Sequence, residues 1–250
     1  MVWGMPLPEN FGEFWPSGCF EKDAKTGDSG WYDRLTAYYK EQSPEEQKRL
    51  FDYKSHVGNA AHSYGTFPSS KFKKEPGTQD SGGVKPRYGS IESHEVPRSF
   101  DTAKSHKKLG SLIMLAGKIF AVDEPLKAII ERLEPGVHEF FPFEIRMPKG
   151  KVYPSSYYIL RVGRYFDAFS REDSWSGSVE ESDHVPGLLH LNRSKKGITG
   201  LAFHKPAYDA AHLWRDRTFG EDLTCFSDAL VAEIEQAGLR LPKHYKLKEV

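Results

Sequence analysis

Between Glu172 and Asp183 the chain carries five carboxylates, Glu172, Asp173, Glu180, Glu181 and Asp183, with no Lys or Arg among them. Trp175 lies inside the run, flanked by Ser and Gly. Two readings fit these residue types. A solvated acidic loop can fold its Trp back onto the core. Alternatively, the carboxylates form a negative rim around an aromatic anchor, so that the rim steers a basic partner and the ring supplies affinity. The basic run at 71–74 has only Phe72 as an aromatic and reads as loop surface.

Other chemistry-bearing residues lack the spacing that chemistry needs. Gly82-Gly83 is an isolated pair, and no Gly-x-x-x-x-Gly-Lys run or dinucleotide fingerprint occurs. Trp175-Ser176-Gly177-Ser178 lacks the first glycine of a nucleophile elbow. The ten His residues contain no His-Glu-x-x-His. His184 and His190 with Asp183 could in principle hold a metal, but histidines scattered through loops more often bond to water or backbone. Cys19 and Cys225 sit in no local signature and read as two free, inert thiols of a reducing compartment. No catalytic residue, no metal and no cofactor is therefore expected.

The totals narrow the partner. Thirty-five basic and 35 acidic side chains cancel, whereas a nucleic-acid binder usually has a surplus of Lys and Arg. The first twenty residues have no Lys or Arg and are interrupted by Pro6, Pro8 and Pro16, so no signal peptide can be built there. The longest apolar run, residues 112–116, is far too short to cross a bilayer. These features predict a cytoplasmic protein with no nucleic-acid or membrane partner. They leave its oligomeric state open.

The elements that must position the acidic run follow from periodicity. An aromatic segment from Trp3 to Phe20, punctuated by proline, reads as irregular chain pinned on the core. One helix is capped by Asp28 or Ser29 and carries Trp31, Leu35, Tyr38 and Tyr39. The next begins at Ser43-Pro44 with Glu46 completing a capping box, and should run to Lys54. From 54 to 110 only ten of 57 positions are large and apolar, against 26 of 56 from 111 to 166. The poor stretch should be long loop, with 77–98 among its least ordered parts, and the folding centre should lie in the second half. There Ile119 to Val122 reads as a strand, and Asp123 caps a helix bearing Leu126, Ile129, Ile130 and Leu133, stopped by Pro135-Gly136. Val137 to Ile145 is a strand, with Pro142 arguing for an edge or a bulge. Tyr157 to Val162 follows, with weaker strands at Leu188 to Leu191 and His212 to Arg215. Leu223 to Phe226 then leads into a helix capped by Ser227, bearing Leu230, Val231 and Ile234 and closed by Gly238. The pattern predicts an α+β fold: a mixed sheet packed by helices on one side over 111–250, preceded by a helical and loop-rich region over 1–110.

Those two strand–helix units also carry a resemblance. Phe120-Ala121-Val122-Asp123-Glu124-Pro125-Leu126, and Leu133-Glu134-Pro135-Gly136-Val137-His138-Glu139-Phe140-Phe141-Pro142, resemble a family of bacterial immunity proteins, the Imm11 type. Tyr157-Tyr158-Ile159-Leu160, Phe166-Asp167-Ala168 and Arg171-Glu172-Asp173-Ser174 are similar to its next strand and polar turn. His212-Leu213-Trp214-Arg215, Phe226-Ser227-Asp228-Ala229-Leu230 and Ala237-Gly238-Leu239 are similar to its closing strand and helix. The likeness covers roughly residues 111 to 242, and the first 110 residues match nothing recognisable. It implies a cytoplasmic immunity protein of a polymorphic or contact-delivered toxin system, binding its cognate toxin stoichiometrically without turnover. Two rivals stand beside it: a hydrolase or nuclease with a site assembled from distant residues, and a scaffold or regulatory domain.

Overall fold

A strand covered on both faces sends alternate side chains into different cores, and that rule organises this molecule. The computed structural model describes residues 1–51, 59–79, 87–183, 185–194, 197–220 and 222–250. The chain opens with β1 (Val2–Pro6), β2 (Gly18–Phe20), α1 (Gly30–Glu41), α2 (Pro44–Leu50) and α3 (Ala60–Lys71). It continues through β3 (Ser99–Thr102), β4 (Leu112–Met114), β5 (Phe120–Asp123), α4 (Glu124–Leu133), β6 (Glu139–Met147), β7 (Lys151–Val152) and β8 (Tyr157–Arg161). Then come β9 (Tyr165–Phe166), β10 (Phe169–Ser170), β11 (Val179–Glu181), β12 (Leu189–Leu191) and β13 (Ala202–Phe203). It closes with β14 (Leu213–Asp216), β15 (Leu223–Ser227), α5 (Asp228–Gln236) and β16 (Tyr245–Glu249).

The α+β class holds, with two large mixed sheets where the sequence suggested one. The first has the order β10–β13–β16–β1–β15–β14–β9 and the second β2–β3–β6–β8–β5–β4, with β7 also on β6. A separate hairpin pairs β11 with β12. In β5, Phe120 and Val122 enter a central core while Ala121 enters another under α1 and α3. In β15, Phe226 enters the same central core while Leu223 and Cys225 enter a third. α4 and α5 place Leu126, Ile130, Leu230, Val231 and Ile234 in that central core, which joins both sheets.

The anticipated caps form. Asp123 accepts from Leu126 N–H at 3.0 Å and Ser227 from Leu230 N–H at 3.1 Å. Gly136 and Gly238 take the positive φ that ends each unit, +68° and +65°. Ser43 accepts from Glu46 N–H, but the Glu46 carboxylate turns to Arg49 instead of closing the box. That helix ends at Leu50 with Phe51 extended, and residues 52–58, including the expected end at Lys54, lie outside the described residues. Ser29 is the N-cap of α1, yet its hydroxyl donates to Phe20 O at 2.9 Å. Pro142 is tolerated because β3 pairs only from Glu144 onward, so one edge of β6 is open there.

Three segments differ from expectation. Val2–Pro6 is not irregular: β1 lies in the middle of the first sheet, antiparallel to β15 and β16. Gly4 permits this, since a Cβ there would come 2.6 Å from Leu247 Cδ1. Residues 60–71 form α3 despite Gly65 and Pro68. Gly65 is where α3 touches α1, a Cβ there meeting Tyr32 O at 2.8 Å. Residues 87–98 are not loose either: Tyr88 and Glu95 are buried, and Tyr88 exchanges backbone hydrogen bonds with Gly77 and Thr78. Arginine donors compensate for the few apolar anchors, Arg161 binding Gly89 O, Arg215 binding Lys73 O and Arg217 clasping Glu75. Residues 80–86, with Gly82, Gly83 and Pro86, lie outside the described residues.

Candidate functional site

The acidic run begins where β10 leaves the first sheet. Ser170 Oγ donates to Asp173 Oδ2 at 2.7 Å, and Ser174 Oγ donates to Ser170 O at 2.5 Å, folding 170–174 into a tight turn. The turn is tied to the body by Ala202 N–H, which donates to Ser174 Oγ at 2.9 Å. Trp175 N–H donates to Gly200 O at 2.8 Å, and Trp175 O accepts from both the N–H and the hydroxyl of Ser178. Its backbone is therefore fixed on both sides.

The ring of Trp175 is not folded into the core; the residue is 63% exposed. Two glycines account for its position. A Cβ on Gly177 would come 2.7 Å from ring atom Cζ2, and a Cβ on Gly200 would come 2.8 Å from Trp175 Cβ. The indole thus rests across a strip of bare backbone, presented on a fixed support.

The carboxylates do not act as a uniform rim. Glu181 pairs with Arg171 at 2.5 Å, both side chains largely exposed. Asp173 faces Lys248 Nζ at 3.8 Å. Glu180 sits opposite His190 across the β11–β12 hairpin. Glu172, Glu180 and Asp183 are exposed and carry no ion pair among the described residues. The structure therefore brings Trp175, Glu172, Asp173, Glu180, Glu181 and Asp183 onto one turn-and-hairpin segment. It also adds two cations that the acidic run does not contain. Arg171 stands one residue before it, and Lys248 arrives from β16, 65 or more positions away in sequence, so no local pattern could reveal that contact.

Groups that could serve catalysis are committed elsewhere. The Glu134 carboxylate is fully enclosed: Oε2 accepts from His138 Nε2 at 2.8 Å and from Leu213 N–H at 2.9 Å, and Arg164 Nε lies 2.7 Å from Oε1. His138 Nδ1 accepts from Gly163 N–H at 3.1 Å, so its proton sits on Nε2. Burial opposes ionisation of Glu134, but the hydrogen bond from His138 and the backbone donors of 212 and 213 outweigh it and hold the carboxyl below its ordinary range. This cluster fastens the end of α4 to β14. Under α1 and α3, Lys71 Nζ pairs with Glu95 at 2.6 Å, and Tyr64 OH bonds both Glu95 and His94. His94 stacks on Tyr38 and edges a cleft of about 460 Å³.

Both thiols are free. Burial raises Cys225 far above the ordinary thiol range and raises Cys19 as well, which keeps them protonated and poorly nucleophilic. His190 is exposed beside Asp222, and its suggested metal partner His184 lies outside the described residues. Among the described residues no group of three His, Cys, Asp or Glu is placed to hold a metal, and no helix is long and apolar enough to cross a membrane.

Comparison with protein families gives one match: the model of the immunity protein family (Imm11) covers residues 40–248. The match reaches well before residue 111, taking in α2, α3 and the end of α1 as well as the hairpin with Trp175. No individual curated protein matches the chain.

Proposed function

The chain belongs to the Imm11 immunity protein family, and from that premise we propose that it neutralises a cognate bacterial toxin by stoichiometric binding in the cytoplasm. The observation that carries the binding surface is Trp175: a large ring, mostly exposed, on backbone fixed by Gly200 and Ser178. A rigid exposed indole loses little conformational freedom when a partner covers it, which favours it as an affinity anchor. Glu172, Glu180 and Asp183 add exposed negative charge to the segment that carries the anchor, and Glu181 and Asp173 can exchange their present cations for those of a partner. The matching partner surface is basic, with a pocket for the indole. Protection then follows by occluding the toxin's active site or clamping it in an inactive conformation.

Stoichiometry tests this reading. Titrating the chain against a fixed amount of purified toxin should give an inhibition curve that breaks near one equivalent. Trp175→Ala should weaken the complex by about 2 kcal/mol or more, the threshold of a hot spot. Reversing Glu180 and Glu181 to Lys should slow association, with the deficit shrinking as salt rises. Full protection at a small fraction of an equivalent would instead establish turnover.

A further inference from the structure

The hairpin beside Trp175 has an unused hydrogen-bonding edge. In the β11–β12 register, Val179 faces Leu191, Glu180 faces His190 and Glu181 faces Leu189. Asn192 N–H donates to Ser178 O, and Ser182 N–H donates to Leu188 O. Antiparallel pairs alternate between bonded and non-bonded, so the bonded pairs are 178 with 192, 180 with 190 and 182 with 188. The N–H and C=O groups of Val179 and Glu181 therefore point away from β12. No described residue hydrogen-bonds to them. The opposite edge of the hairpin is different, because Leu189 N–H already donates to Thr218 O at 2.8 Å.

We infer that the outer edge of β11 receives an extended, basic segment of the toxin as an added third strand, next to the indole of Trp175. This rests on the immunity reading above and specifies how the partner is held. An open edge can template any strand, and charge selects the occupant. A second copy of this chain, paired antiparallel, would set Glu180 against Glu180 or Glu181 against Glu181 according to register, and like charges facing across a strand pair repel. A segment with Lys or Arg facing Glu180 gains attraction from the same side chains. Val179 packs on the third core and fixes the strand, so the edge is already shaped before binding.

Amide exchange tests the edge directly. The probe is the purified toxin whose lethality the chain suppresses on co-expression. In the free protein the Val179 and Glu181 amides should exchange quickly and the Glu180 amide slowly. In the complex, Val179 and Glu181 should slow by about tenfold or more, the factor that one hydrogen bond's worth of protection gives. Glu181→Pro removes the outward N–H together with the carboxylate that pairs with Arg171, whereas Glu181→Gln removes the charge alone, so the difference between the two variants reports the N–H. The Pro variant should bind about tenfold more weakly than the Gln variant, with a still-protected Glu180 amide reporting an intact hairpin. If Trp175→Ala weakens binding while the Val179 and Glu181 amides exchange as in the free protein, the added strand is refuted and the hairpin surface stands. If neither responds, the hairpin is not the interface and both readings fall.

Discussion

His94 shows how a single side chain in this molecule registers its surroundings. Stacked on Tyr38, bonded to Tyr64 and facing Glu92, Glu95 and Arg34, it is held below its ordinary value of 6.5, chiefly by burial, despite the two carboxylates. A base with a lowered folded pKa stays neutral in the native state while the unfolded chain still takes up a proton. Stability should therefore be full above about pH 6.5 and fall as pH drops from there toward the folded pKa. His106, also lowered by burial, adds a slope of the same sign. Denaturant midpoints at pH 7.5 and 5.5 should differ in the wild type and differ less in His94→Gln; an unchanged difference would remove His94 as a source. None of this was legible beforehand, because Tyr38, Tyr64 and His94 meet only once three separate segments are packed. Trp175 is the contrasting case. Its type and its Ser/Gly setting marked it as a possible anchor, but its exposure was decided by Gly200, which sits 25 residues away.

At the scale of elements, capping chemistry was readable because it is local. Asp123 and Ser227 reach N–H groups three residues ahead, and the apolar positions of α4 and α5 recur on one face. Ile130 and Ile234 lie at the centre of those faces and are 2% and 3% exposed. Ile130→Ala and Ile234→Ala should each cost about 2–5 kcal/mol, read as a lowered denaturation midpoint with unchanged slope. Equal midpoints for wild type and both variants would mean that the central core does not depend on these helices. α3 is not legible in the sequence for the opposite reason. Gly65 and Pro68 are poor helix formers, and what stabilises the helix is the close contact with α1 that Gly65 permits. The segment after it contains few apolar residues, yet arginines from β8, β14 and the following turn bind its backbone and Glu75.

For the molecule as a whole, the decisive strand is the first one. β1 occupies the centre of a seven-stranded sheet, bonded to β15 on one side and β16 on the other. Deleting residues 1–6 should leave both neighbours with open, buried edges, and the far-ultraviolet circular dichroism and cooperative unfolding of the native protein should be lost. A truncated chain that still unfolds cooperatively with the native spectrum would show that β15 and β16 can close on each other. The Imm11 match begins at residue 40, so this strand completes a sheet whose other members, but for Glu249 at the end of β16, lie within the matched region.

The sequence alone determined the α+β class, the two capped helices, the family likeness and an acidic run around one Trp, because each depends on neighbours a few residues apart. Tertiary structure decided the rest. It split the expected sheet in two, drew β1 and Lys248 from the chain ends, and left one edge of β11 open. Those outcomes depend on hydrogen bonds and ion contacts between residues tens to hundreds of positions apart. Periodicity records which face of an element is apolar, not which strand, charge or glycine will be set against it.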